Sequence, residues 1–227
     1  MTDSGEQPVA GWRRWLLIAV IALGVAGLAF AIGRFSTFGA TSSVVTPSTD
    51  SADAGFARDM QLHHAQAIDM AMTIYRKTDD EELRILAYDI ATSQAEQKGQ
   101  MYDWLVKWGL SQSGGPLMSW MTATDGGHDH GVTATGEALT DEELREAMGM
   151  ASDDELRELD AATGQTADCL FLELMIRHHQ GAIPMAEALL DLGSDPRAQA
   201  VAEAMKNGQT AEIDAMESMQ SRLQCAG

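Results

Sequence analysis

Apolar residues along the chain follow two kinds of pattern. Residues 16–33, "LLIAVIALGVAGLAFAIG", form a run of 18 positions without a charge, the length and composition of a membrane-spanning helix. Beyond residue 52 the apolar positions recur instead at three- and four-residue spacing, which predicts amphipathic helices. Four long ones are expected: from about Asp53 to Lys77, Glu81 to Trp108, Asp168 to Leu192 and Pro196 to Leu223. "KTDDEE" and "LGSDPR" separate the members of each pair and supply Asp79 or Asp80, and Ser194 or Asp195, as N-caps, with Pro196 at a first helical position. Turns this short make each pair an antiparallel hairpin. The stretch "TDEELREAMGMASDDELRELDAATG" predicts two further short, capped helices.

The two hairpins are copies of one unit. Residue i matches residue i+115 without a gap: Asp53 falls on Asp168, Met60 on Met175, His63 and His64 on His178 and His179, Met70 on Met185, Gln94 on Gln209 and Met101 on Met216. The expected architecture is all-α, a four-helix bundle of repeats 53–110 and 168–225 joined by a crossover at 111–167.

Charge and cysteines refine this picture. The formal net charge of -19 disfavours nucleic acid and anionic lipid and favours cationic partners. Arg13 and Arg14 precede the apolar run, and Trp12 and Trp15 flank it, so residues 1–35 are expected to be an anchor that leaves the rest outside the cytoplasm. A cleaved signal peptide, with "RRWLL" as a twin-arginine element and "AFA" as a cleavage site, is the other reading of the same residues. Residues 36–52, rich in Ser and Thr, are expected to be a linker. Exported or anchored, Cys169 and Cys225 form a candidate disulfide, with two buried free thiols as the alternative; a bond would add about 4 kcal/mol.

The doubled motif carries the candidate chemistry. At 100° per residue, with Met60 at 0°, His63 lies at about -60°, His64 at about 40°, Ala67 at about -20°, Met70 at about -80° and Ala71 at about 20°. One helix face therefore presents imidazoles, thioethers and small alanines to the interior, and the repeat sets Met175, His178, His179 and Met185 the same way. Buried imidazoles need hydrogen-bond partners or a metal. Thioether beside imidazole is soft, so copper, and Cu(I) in particular, is favoured over zinc or iron. Met118, Met121, His128 and His130, in the Gly-rich crossover, form a possible accessory group, and Asp53 and Asp168 are either hydrogen-bond acceptors behind the imidazoles or helix-terminal residues. Most other methionines are core fillers.

The doubled "MxxHHxxAxxMA" pattern, with Phe56 and Phe171 four residues ahead of each methionine, resembles a family of exported, ferritin-like bacterial proteins known as a domain of unknown function, which includes a periplasmic copper-binding protein. The resemblance covers about Asp53 to Cys225. It implies a four-helix fold and copper ligation by Met60, His63, His64, Met70, Met175, His178, His179 and Met185. Pro184, where that family commonly has Asp, removes one helical hydrogen bond and is expected to kink the third long helix. No nucleophile paired with a base, phosphate loop or Glu-x-x-His motif is visible, so a copper-binding protein that sequesters or delivers its ion is favoured. A metal-dependent redox enzyme and a structural subunit of a membrane complex are the alternatives.

Overall fold

The computed structural model describes residues 46–122 and 139–225, so the apolar run at 16–33, most of the linker, His128 and His130 lie outside the described residues. Every regular element within them is helical: α1 (Ala52–Lys77), α2 (Glu81–Trp108), a 3-10 turn (Ser119–Thr122), α3 (Asp141–Ala147), α4 (Asp153–Ala161), α5 (Gly164–Leu192) and α6 (Pro196–Leu223). Among these residues no helix is long and apolar enough to cross a membrane.

Local chemistry sets the helix ends. The side chains of Ser51, Asp80 and Asp195 accept hydrogen bonds from the first-turn N–H groups of α1, α2 and α6, and Pro196 occupies the first position of α6. Reciprocal capping boxes, Thr140 with Glu143 and Ser152 with Glu155, open α3 and α4. Gly109, at φ 70°, closes α2 in the left-handed conformation. One boundary differs from expectation. α5 begins at Gly164, four residues before Asp168, because only Ala162 and Thr163 separate it from α4. Asp168 therefore lies inside the helix. α5 also continues through Pro184 without interruption.

α1 packs on α2, α5 packs on α6, and the two hairpins meet through α1 and α5. Two apolar clusters fill the interior. One gathers Phe56, Met60, Met101 and Leu105 with Met185, Leu189, Ala202 and Met205. The other gathers Met70, Ile74, Leu83 and Ile90 with Phe171, Met175, Ile213 and Met216. α1 runs from the first cluster to the second and α5 runs the other way, so the two central helices are antiparallel.

The crossover is pinned to this frame at two places. Buried Asp59 accepts hydrogen bonds from Met118 N (2.7 Å) and Trp120 Nε1 (2.9 Å), and the Trp120 ring packs edge-on against Phe56. Further along, the segment Met148–Ala151 crosses both central helices. Gly181 on α5 allows this approach: a Cβ there would lie 1.9 Å from the Met148 carbonyl oxygen. On α1 the pseudo-equivalent position is Gln66, whose amide donates to Ala151 O and accepts from Ala151 N, at 2.8 and 2.7 Å. Cys169 and Cys225 are joined by a disulfide, with Cα atoms 5.5 Å apart, tying the start of α5 to the end of α6.

Candidate metal centre

Between the two apolar clusters every long helix changes character at the same height. α1 carries His63 and His64 there, α5 carries His178 and His179, and Gln94 and Gln209 face inward from α2 and α6. All four imidazoles are 0% exposed. Eight of the ten buried polar side-chain atoms without a hydrogen-bond partner among the described residues sit in this layer: Nδ1 of each histidine, Nε2 of His178, both amide atoms of Gln94 and Oε1 of Gln209. An orphaned buried polar atom costs roughly 1–3 kcal/mol, so their concentration in one layer is not a by-product of packing.

The imidazoles form a cluster. His63 and His178 meet across the α1–α5 contact with ring centroids 3.6 Å apart and planes inclined by 33°. His64 and His179 flank them at 6.4 and 6.3 Å from their sequence neighbours. Three of the rings have one anchor each through Nε2: His63 on Met148 O (3.0 Å), His64 on Gln97 Oε1 (2.8 Å) and His179 on Glu212 Oε2 (2.7 Å). Burial, with like charge from neighbouring histidines, pushes the affinity for a proton down, to a pKa of about 3 for His63 and well below the ordinary value for His178. Burial likewise lowers His64 to about 4, against the opposing hydrogen bond from Gln97. These three rings are neutral at physiological pH, with lone pairs available in a dry interior.

The thioethers bracket the imidazole cluster. Met60 and Met185 lie in one apolar cluster, Met70 and Met175 in the other. Ten residues of helix separate Met60 from Met70, about 15 Å, so the eight residues of the doubled motif cannot all meet one ion. Among the described residues no three His, Cys, Asp or Glu side chains converge as a metal-binding group. Asp53 stands apart from the imidazoles: its carboxylate accepts from Ser194 N, Ser194 Oγ and Asp195 N in the α5–α6 turn. Asp168, held above its ordinary pKa mainly by burial, occupies the corresponding place near Thr78, Asp79 and Asp80 in the α1–α2 turn. Asp53 thus locks the first hairpin to the turn of the second, whereas Asp168 Oδ1 is buried without a partner among the described residues. Met118 and Met121, of the possible accessory group, are buried against the first apolar cluster, where Asp59 and the Trp120–Phe56 contact hold their segment down.

Residues 53–220 match the family described as Domain of unknown function (DUF305). The chain belongs to DUF305. A DUF305 protein of Streptomyces coelicolor is similar at 36% identity and a TM-score of 0.66, covering 78% of this chain and 95% of its own. A DUF305 fragment from Deinococcus radiodurans is 32% identical, with a TM-score of 0.60 and coverage of 75% and 96%. CopM in its Cu(II)-bound form is 26% identical, with a TM-score of 0.54 and coverage of 75% and 96%. No curated protein matches the chain.

In this DUF305 chain the layer holds more than the doubled motif announces. Gln97 and Glu212, again 115 residues apart, are the hydrogen-bond partners of His64 and His179. Gln94 and Gln209 stand one helical turn before them. The repeat offset alone could have found all four, since a buried histidine on the first helix of each unit requires a partner on the second. The Met148 carbonyl has no such signal in the sequence; it arrives because Gly181 lets the crossover backbone press on α5.

Proposed function

We propose that the protein is a membrane-anchored, extracytoplasmic copper-binding protein that sequesters copper or hands it on. The observation that carries this reading is the layer of four buried imidazoles whose Nδ1 atoms lack partners, bracketed above and below by thioethers. Imidazole nitrogen serves zinc and iron as well as copper, but soft methionine sulfur beside it suits Cu(I). The similarity to CopM, whose structures include Cu(I)-, Cu(II)- and Ag-bound forms, supports a soft-metal site that takes copper. His63, His64, His178 and His179 would supply nitrogen, and Met60, Met70, Met175 and Met185 sulfur from the two margins of the layer. Bound copper would supply positive charge to satisfy the orphaned lone pairs. The chain's own residues exclude water from the layer and keep three of its rings unprotonated, so protons compete poorly for the donors at neutral pH. The apolar run at 16–33 would hold this domain at the outer face of the membrane.

The test is a titration of the full chain with Cu(I) against a competing chelator, repeated with H63A/H64A/H178A/H179A. Loss of the tight site in the quadruple variant is expected. An unchanged affinity would remove the histidine layer from the assignment.

A further inference from the structure

The two halves of the layer are related by the 115-residue repeat, yet they are chemically unequal. Where the first half pairs His64 with Gln97, the second pairs His179 with Glu212. A primary amide presents either its carbonyl or its NH2 by turning about its last bond, so Gln97 serves equally well as acceptor from an Nε2–H or as donor to a bare Nε2. It has room to do so, because Gln97 lines a solvent groove of about 240 Å³ between Glu96 and Gln100 of α2 and the small side chains Ala200 and Ala204 of α6. An ionised carboxylate only accepts. The Glu212 contact therefore places the proton of a neutral His179 ring on Nε2 and the lone pair on Nδ1, a buried atom without a partner. A carboxylate behind an imidazole also strengthens that imidazole as a donor.

We propose that Glu212 is a positioning residue for the metal. It fixes His179 as the Nε2–H tautomer with Nδ1 presented to the interior, and so makes His179 a stronger ligand for a soft monovalent cation than its counterpart His64. The consequence for binding rests on the copper reading above; the tautomer is a property of the metal-free protein and stands apart from it. The Met148 carbonyl, also an acceptor only, imposes the same tautomer on His63. Gln97 leaves His64 the one anchored ring whose proton can change nitrogen.

Two-bond 1H–15N correlation spectra of the full, metal-free chain with 15N-histidine read the tautomers directly, and Ag(I) competition against a chelator reads the ligand strength. His179 is expected as a single Nε2–H tautomer, E212Q to convert it to a mixture, and Q97E to fix His64 as Nε2–H. E212Q is expected to weaken Ag(I) binding about tenfold or more, and Q97E to strengthen it. A proton on Nδ1 of His179, or a tautomer indifferent to E212Q, would overturn the positioning role. Ag(I) affinity unchanged in both E212Q and Q97E would overturn the effect on ligand strength while leaving copper binding intact. Failure of the unmutated chain to bind either Ag(I) or Cu(I) would overturn the copper reading and the tuning together, with the tautomer still decided by the spectra. Q97E, which leaves Glu212 in place, keeps the test independent of how well E212Q folds.

Discussion

A histidine in an unfolded chain takes up a proton near its ordinary pKa of 6.5, whereas burial holds His63 at about 3, His64 at about 4 and His178 far down. Between those limits the unfolded chain binds protons that the folded one refuses. Stability of the metal-free protein is therefore full above about pH 6.5 and falls as the pH drops toward 4, by about 1.4 kcal/mol per pH unit for each such ring. Urea unfolding between pH 7 and 5, above the range where most carboxylates titrate, should show this slope, and a flat profile would refute the buried, neutral state of the rings. Gly181 makes a second residue-scale prediction. A Cβ at that position meets the Met148 carbonyl at 1.9 Å, so G181A should cost about 2–3 kcal/mol through displaced backbone and a weakened His63 anchor, lowering Tm by about 5–10 °C. At this scale the sequence made the histidines legible because they come in pairs and the pairs come twice. It hid the Met148 carbonyl because a backbone atom has no residue signature, and its position depends on a crossover path that only the packed structure defines.

Among the elements, the long helices and their caps were readable from Asp80, Asp195, Pro196 and the apolar spacing, since these are local signals. The crossover was not. Its Gly and Ser content reads as a solvated loop, while Met118, Trp120 and Met121 are the side chains that dock it. Asp59 on α1 holds that docking, and D59A would leave the Met118 N–H and the Trp120 indole N–H buried without an acceptor. The expected loss is about 2–4 kcal/mol, with faster hydrogen exchange at the Met118 amide than anywhere in α1; an unaltered exchange rate there would show that the turn is held by Trp120 packing alone. The α5–α6 hairpin carries the disulfide, and C169S/C225S should lower stability by about 4 kcal/mol on the chain-entropy account. Denaturant unfolding of the double variant checks the magnitude, and a loss under about 1 kcal/mol would mean that the closed loop is already restricted in the unfolded chain.

For the whole molecule, a ligand that binds only the folded state raises its stability, by about 2.7 kcal/mol at a hundredfold excess over Kd. Ag(I) or Cu(I) at that excess should raise Tm by about 5–10 °C, and H63A/H64A/H178A/H179A should abolish the rise; a shift of equal size in the quadruple variant would place the ion elsewhere in the chain. The net charge of -19 draws such cations in from solution, with a rate that falls as salt screens it. The stacked contact of His63 on His178 has a historical consequence. A 115-residue offset kept without a gap is the mark of a duplicated gene segment, and a single helical hairpin of that kind would have exposed its imidazole face to water. Pairing with an identical copy about a two-fold axis would bury that face, and in the fused chain His63 meets His178 where such an axis would pass. Fusion freed each copy to diverge, and the divergences are asymmetric: Gln97 against Glu212, Gln66 against Gly181, and Ala54 and Leu110 against Cys169 and Cys225. A symmetric dimer must make its two imidazole pairs alike, and the fused chain is released from that constraint.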